Sequence, residues 1–530
     1  MRRAIYSSPH IFSNMLRSSI LLLVLLNFLI VSCDNGLQGS LNENQPPNTS
    51  LTLNEINLPE GERLVSQVNI SWWGDDPDGY IVGYEFFIGD VSSAADEDWI
   101  FTESTDSTFI LPIEEGNLDA DVEFTVRAID NDDARDDSPA SLTFPIRNTE
   151  PNIEFNLNET PPDTTFRVMS FGYNASDPDG NANLNRVEIA LNDTASENAW
   201  KQIPLNVTFV TLKIDDTVAE PTAEVLVGRA VNEAGLIFDS VYVDADNTFY
   251  IRSFDNAEAV SEVEEFTWYV KKQTSRILFL NDFYSTATAT EDRAALHLGL
   301  LAQAGITEVD YLDISDGFAT GGQRVPLTQA LPDRSLADPT TNMMLAEWDH
   351  IYWISNDLSR NIGYALELTQ DFFDNGGTMF VNIPSKFIAS DNPLLQFLPF
   401  EGVEQASTGE NFYIARCAEI SESDEITDAP FLQLNRIGTG YFPIIPFNES
   451  TPLFEAPFET RNFLGVRADF EGSHLISAMN PDETILYFGI DLDDFTTDGS
   501  TCESDGNTPP PSELGRLIEF ITDETLGFEQ

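Results

Sequence analysis

Positive charge is what this chain has least of. Lysine and arginine number 26 against 89 aspartates and glutamates, giving a formal net charge of −63 over 530 residues. Only Lys201, Lys213, Lys271, Lys272 and Lys386 are lysines. Binding nucleic acid, or an anionic lipid surface through the protein body, needs clustered Lys and Arg, so both are excluded. Cysteine is scarce at three residues and histidine at four, of which His297, His350 and His474 lie beyond residue 32. No zinc-ligand spacing, glycine-rich phosphate loop or flavin fingerprint occurs. No apolar run reaches the roughly 20 residues of a membrane-spanning helix. What remains is ample for folding: 42% of the residues are hydrophobic, and the length suits three or four domains of ~100 to 200 residues.

The N-terminus has the form of an export signal. Arg2, Arg3 and Arg17 precede the apolar run Ile20 to Ile30, and small residues lead to Cys33. Ile30-Val31-Ser32-Cys33 resembles the lipobox of bacterial lipoproteins, which implies cleavage after residue 32 and lipidation (diacylglycerol and palmitate) of Cys33. The expected location is extracytoplasmic and lipid-anchored in the bacterial cell envelope, with the outer membrane preferred over the inner. Low lysine with heavy Asp and Glu fits a halophile or marine bacterium, where salt screens self-repulsion, and equally an acidic envelope protein of a mesophile. Outside the cytoplasm Cys417 and Cys502 are candidates for a disulfide. Residues 33–48 are polar and turn-rich, as a flexible tether is.

Residues 49–148 read as an all-β module. Val68 to Trp73 and Tyr80 to Ile88 are rich in β-branched and aromatic residues and are separated by the turn Gly74-Asp-Asp-Pro-Asp-Gly79. Glu123 to Ile129 and Ser141 to Ile146 flank a second acidic turn. The pattern resembles a fibronectin type III-like or immunoglobulin-like sandwich. A second copy is predicted over 149–271: Asp177-Pro-Asp-Gly180 repeats Asp76-Pro-Asp-Gly79, and Phe249-Tyr-Ile-Arg-Ser-Phe-Asp-Asn256 repeats Phe124-Thr-Val-Arg-Ala-Ile-Asp-Asn131. The offsets of 101 and 125 residues place an insertion near Leu205 to Asn247. Lys271 to Thr274 reads as a linker.

Residues 275–530 change period. Short apolar runs at Arg276 to Asp282, Val309 to Leu312, His350 to Ser355, Thr378 to Ile383 and Thr484 to Ile490 alternate with helical patterns at Glu291 to Ala304, Tyr364 to Phe373 and Ser512 to Thr522. This predicts an open, mostly parallel α/β sheet of flavodoxin-like type. The runs Ile277-Leu-Phe-Leu-Asn-Asp282, Trp348-Asp-His-Ile-Tyr-Trp353, Phe372-Phe-Asp-Asn-Gly-Gly-Thr-Met-Phe-Val381 and Leu486-Tyr-Phe-Gly-Ile-Asp-Leu492 resemble the class I glutamine amidotransferase-like domain. That resemblance implies a cysteine after the strand that follows the Gly-Gly helix end, with a histidine after a later strand. Here the two places read Asn382-Ile-Pro-Ser-Lys386 and Gly489-Ile-Asp-Leu-Asp493, which lack both. Ser385 and His474 are the remaining candidates for a nucleophile and base.

Two further candidates come from the modules. Asp75, Asp76 and Asp78 are expected at the same sandwich end as Asp130, Asp132, Asp133, Asp136 and Asp137, a possible oxygen cage for Ca²⁺; Asp177, Asp179, Asp255 and Glu258 repeat it. Asp-Pro-Asp-Gly is also simply a good β-turn. Trp72 and Trp73 point to opposite faces of one strand, so one belongs in the core. The composite expectation is a non-catalytic envelope lipoprotein whose sandwiches present a degenerate amidotransferase-like domain to a protein or glycan ligand. The rival is an envelope hydrolase acting on polymer or cell-wall material, with Ser385, Asp282 or Asp491 at the carboxyl edge of the sheet.

Overall fold

The computed structural model describes residues 43–53, 63–114, 117–314, 337–358, 360–498, 502–503 and 508–528. The predicted signal segment and Cys33 lie outside the described residues. Contacts divide the chain into two compact units, one formed by residues up to Pro112 with Asp119–Arg147, the other by Ile113–Leu118 with Asn148–Gln530.

The first unit is a β-sandwich. One sheet is β1 (Asn48–Leu53), β3 (Gln67–Asp75) and β6 (Asp106–Ile110), in the order β1-β3-β6. The other is β2 (Leu64–Val65), β8 (Ala140–Arg147), β7 (Asp119–Asp130), β4 (Ile81–Ile88) and β5 (Ile100–Thr102), in that order. Period-2 alternation along β3 turns Val68, Ile70 and Trp72 inward and leaves Trp73 51% exposed. Trp72 is the hub of the core: its ring lies 5.9 to 6.4 Å from those of Tyr84, Phe86, Phe109 and Phe124.

A second sandwich opens the second unit with the same plan. Its five-stranded sheet runs β10 (Thr164–Thr165), β18 (Glu264–Val270), β17 (Ala245–Asp255), β12 (Leu184–Leu191), β13 (Lys201–Ile203), which matches β2-β8-β7-β4-β5 strand for strand. The opposite sheet pairs β9 (Asn152–Phe155), β11 (Val168–Ser176) and β14 (Phe209–Asp215) as β1, β3 and β6 pair in the first. The predicted insertion is β15 (Thr222–Val227) and β16 (Asn232–Phe238), an antiparallel pair that widens this sheet. The repetition reaches side chains. Arg127 lies 3.9 Å over Trp99 and bonds Glu85; Arg252 lies 3.9 Å over Trp200 and bonds Glu188.

The remainder of the second unit departs from the predicted open, mostly parallel sheet. Nine strands form one mixed sheet. Its first half is parallel, in the order β20 (Asp310–Asp313), β19 (Ile277–Asp282), β21 (His350–Ser355), β22 (Thr378–Asn382), β33 (Ile485–Phe488). Its second half is antiparallel: β32 (Leu475–Met479), β29 (Thr451–Glu455), β25 (Glu419–Glu422) and β26 (Leu432–Gln433). The reason lies in the crossover from β22 to β33. It holds β23 (Phe400–Val403) paired with β28 (Ile444–Pro446), the antiparallel strands just named, and a small sheet in the order β27 (Gly438–Thr439), β24 (Glu410–Ile414), β30 (Phe458–Asn462), β31 (Arg467–Asp469), where a helical crossover would otherwise run.

Helix is correspondingly sparse. Ala287–Gln303 is a 17-residue helix capped by the Thr286 hydroxyl, starting earlier than predicted. The helix expected from Tyr364 is instead two short pieces, Ala365–Leu368 and Gln370–Asp374. The final helix, Leu514–Glu519, runs into a π-turn over Phe520–Thr525. β19, β21 and β22 are buried almost throughout, as strands covered on both faces are.

The predicted linker Lys271 to Thr274 is ordered. Lys271 Nζ donates to the Tyr311 carbonyl and the Thr274 backbone N–H to Asp310. Around it the second sandwich shares a core with the mixed sheet: Phe166 packs edge-on against Trp348 at 4.8 Å, while Arg167 and Lys213 both pair with Glu347. A disulfide joins Cys417 to Cys502, 85 positions apart in sequence, with Cα atoms 5.4 Å apart.

Candidate functional site

At the carboxyl edge of the parallel strands, the turn after β22 holds Ser385, the nucleophile candidate from the sequence. Ser385 is fully buried. Its backbone N–H donates to the Gly489 carbonyl, and its Oγ accepts from the Phe442 N–H at 3.3 Å. Gly489 is required at this crossing, because a Cβ there would lie 2.9 Å from the Ile476 carbonyl and 3.0 Å from the Ser385 Cβ. His474 is occupied elsewhere: Nε2 donates to the Phe470 carbonyl, and Nδ1 accepts from the Phe458 N–H. Ser385 and His474 share no hydrogen bond among the described residues. The sequence-derived pair is therefore not assembled, and each member is held by backbone groups.

The other two histidines among the described residues are engaged internally. His297 meets the Tyr352 hydroxyl at 2.9 Å, and burial, with Arg293 nearby, pulls its pKa down to about 3. His350 stacks on Phe528. The edge acids are engaged too. Asn361 donates to Asp282, and Arg293 pairs with both Asp491 and Asp493. Burial raises the Asp491 carboxyl above its usual range although Arg293 opposes it. Tyr441, pushed up to about 12 by burial and the Asp491 charge, donates its hydroxyl to Asp494 at 2.6 Å. This edge is knit together internally.

The acidic turns form a clasp. Asp130 accepts from the Asn44 amide and from the N–H groups of Asp132 and Ala134, while Asp78 accepts from the Gln45 N–H and Asp136 from the Thr49 N–H. The end of the predicted tether is thus fastened to the sandwich. Burial alone would raise the Asp130 pKa, but Asn44 and the two N–H groups prevail and hold it below the carboxylate range. Asp76 accepts from the Asp78 N–H; Asp75 and Asp132 end exposed. Gly79 permits the turn, since a Cβ would come within 2.4 Å of the Asp76 and Asn131 side chains.

The second copy repeats the clasp. Asn148 donates to Asp255, the Thr149 N–H donates to Asp179, and Asp177 accepts from Asn183 and the Asp179 N–H. Here the group is buried, and burial, reinforced by the charges of Asp179 and Asp255, raises the Asp177 pKa. No group of three or more His, Cys, Asp or Glu among the described residues is arranged to hold a metal ion. Among the calcium candidates, Asp76, Asp78 and Asp130 accept hydrogen bonds from protein donors.

A site that sequence reasoning missed opens next to the Ser385 turn. Phe387 and Phe442 continue from it into a cleft of about 570 Å³, inside the usual range of roughly 300 to 1,000 Å³ for small-ligand sites. Its floor is β24 with Tyr413, and its walls carry Tyr441, Gln405, Glu410, Asn411 and Thr439. The β30–β31 hairpin closes one side with Arg461 and Phe463, the latter 87% exposed. Phe387, at 58% exposure, is the other exposed ring in the lining. The only sequence signal was Asn462-Phe463-Leu464-Gly465-Val466, an apolar hairpin tip in a polar surrounding.

No protein-family model matches this chain, and no curated protein is similar to it. Among solved structures it is similar to the fibronectin(III)-like modules of Clostridium thermocellum CbhA, at 14% identity over 42% of this chain and 95% of that one, with a TM-score of 0.15. It is also similar to the PKD1 domain of Vibrio anguillarum Epp (14% identity, 20% and 98% covered, TM-score 0.14) and to the FN1–FN3 domains of chicken CNTN1 (12% identity, 44% and 68% covered, TM-score 0.17). The sandwich assignment rests on strand order and pairing within this chain. No helix among the described residues is long and apolar enough to cross a membrane.

Proposed function

We propose that this is a lipid-anchored protein of the bacterial cell envelope, held through Cys33, whose C-terminal domain is a degenerate amidotransferase-like module that binds a ligand and catalyses nothing. The observation that carries the reading is a contrast at one sheet edge. Ser385, at the nucleophile position, is sealed under backbone hydrogen bonds, while an open cleft lined by aromatic and polar side chains begins two residues later. A nucleophile needs a base within hydrogen-bond reach and access to substrate; among the described residues no base bonds Ser385, and its side chain is buried. The Cys417–Cys502 disulfide supports a compartment outside the reducing cytoplasm. The two sandwiches serve as the stalk, with calcium binding at their acidic turns assigned no role.

The test is incubation of the full chain with a fluorophosphonate and with a glutamine-analogue probe. No labelling is expected; labelling that disappears in Ser385→Ala contradicts the reading. Anchoring is checked separately by fractionation, where Cys33→Ser moves the protein out of the membrane fraction.

A further inference from the structure

Arg461 is out of place in this protein. Of the arginines among the described residues, all but Arg416 and Arg461 hold a carboxylate, and Arg416 donates instead to the Asn435 carbonyl. Arg461 has neither a salt bridge nor a hydrogen bond there; its guanidinium rests 5.6 Å from the centre of the Tyr413 ring. In a chain with 89 acidic side chains, a cation left without a carboxylate at the wall of a cleft is the group best placed to receive one from a ligand. Its neighbour Arg467 also lies over Tyr413, at 5.1 Å, but is neutralised by Glu459.

The rest of the lining narrows the ligand class. The side chains of Gln405, Glu410, Asn411 and Thr439 hold no hydrogen bond or salt bridge among the described residues, so planar amides, a carboxylate and a hydroxyl all face the cleft unspent. Phe387 and Phe463 offer exposed rings in the lining, available for stacking on flat, weakly polar ring faces. A peptide strand adding to the floor is disfavoured. β24 is already paired on both sides by β27 and β30, and β30 by β24 and β31, so the backbone groups strand addition requires are taken. Closely spaced hydroxyls on an apolar ring face, plus one carboxylate, describe an acidic sugar.

We infer that the cleft binds an oligosaccharide containing a uronic acid, with the uronate carboxylate on Arg461 and flanking sugar rings on Phe463 and Phe387. This rests on the proposal that the domain binds a ligand and narrows it. The protein's negative field does not forbid a short acidic ligand, because it decays over ~8 Å at physiological ionic strength.

The test is calorimetric titration of the full chain, at fixed salt, with tetragalacturonate and with the neutral galactotetraose. Tetragalacturonate is expected to bind at least tenfold more tightly than galactotetraose. Arg461→Gln should remove that preference, Phe463→Ala should weaken both several-fold, and Trp73→Ala should change neither. Arg461 and Phe463 are exposed, so unchanged melting midpoints are expected in both variants. Equal binding of the two oligosaccharides, or preference surviving in Arg461→Gln, overturns the uronate assignment and leaves a binding module standing. Binding of neither, with a short peptide bearing a free C-terminal carboxylate captured through Arg461, also overturns the sugar class alone. Binding of none of the three, with Ser385-dependent probe labelling, overturns both this inference and the reading beneath it.

Discussion

The two sandwiches share a strand order and a side-chain plan, yet their clasps differ in one respect: the donors and the Asp-Pro-Asp-Gly turn are exposed in the first and buried in the second. Asn44, Gln45 and Asp78 are exposed, whereas Asn148, Asp177 and Asp179 are buried; the acceptors Asp130 and Asp255 are buried in both. The difference traces to the 3₁₀ turn Asn181–Asn183, which covers the second Asp-Pro-Asp-Gly turn and supplies Asn183 to Asp177. Shared topology therefore does not imply shared energetics. A hydrogen bond whose exposed donor can be replaced by water is worth little, and one whose donor and acceptor are both buried is dear to lose.

The comparison extends to what each sandwich leans on. The first has its own core around Trp72, while the second merges through Phe166 and Trp348 with the mixed sheet. The largest expected effect belongs to the disulfide in the second unit. Closing an 85-residue loop restricts the unfolded chain by about 4 kcal/mol, so Cys502→Ala should lower the unfolding midpoint of the second unit and leave the first unit's transition in place. Chemical denaturation followed by two probes, one in each unit, reads this. A single merged shift contradicts the independence of the units.

Trp72→Ala comes next and acts the other way. Truncating a buried tryptophan that touches four aromatic rings is expected to cost ~3 to 5 kcal/mol, confined to the first unit. Phe171→Ala, which removes the ring stacked 4.3 Å from Phe249, should instead move the transition shared with the mixed sheet.

The clasps themselves are broken by paired substitutions. Asn148→Ala leaves a buried Asp255 oxygen without its donor and should cost roughly 1 to 3 kcal/mol, against under about 1 kcal/mol for Asn44→Ala, where water replaces the amide. Equal losses would show that the burial difference has no energetic consequence.

The smallest effect is a pH dependence of opposite sign in the two copies. The folded pKa of Asp177 is raised above the ordinary 3.8, so the folded state binds that proton more tightly than the unfolded state does. Its charge weakens the fold at neutral pH, and the penalty is relieved as pH falls through the raised pKa. Asp130, held below 3.8, contributes stability above that value and loses it as pH falls through its depressed pKa. Asp177→Asn should therefore stabilise the second unit at pH 7 and flatten its profile between neutral pH and about 4. A destabilised Asp177→Asn at pH 7 reverses the assignment.

Much of this was legible in the sequence and some was not, for identifiable reasons. The duplicated sandwich was readable because the Asp-Pro-Asp-Gly turn and the Phe-x-x-Arg-x-x-Asp-Asn strand recur in order, and turn chemistry is local. The Trp99–Arg127–Glu85 ladder and its twin at Trp200–Arg252–Glu188 escaped notice, because their members come from two strands and the loop before a third, brought together only by strand pairing. β19, β21 and β22 were placed within a residue by their apolar runs. The mostly parallel sheet was not obtained, since strand direction beyond β33 depends on the long β22–β33 crossover, whose short strands give weak periodicity. The cleft was invisible for the same reason: its lining comes from Phe387, from β24, from β27 and from the β30–β31 hairpin, and only the pairing of those strands brings Arg461 beside Tyr413.

The central claim is that the working surface of the C-terminal domain is this cleft and not the Ser385 turn. Backbone hydrogen exchange of the full chain, with and without tetragalacturonate, tests it most directly. The account predicts added protection at 405–413, 439–442 and 461–465, with none at 382–385 or 490–493; protection confined to the Ser385 turn and the Asp491 loop would contradict it.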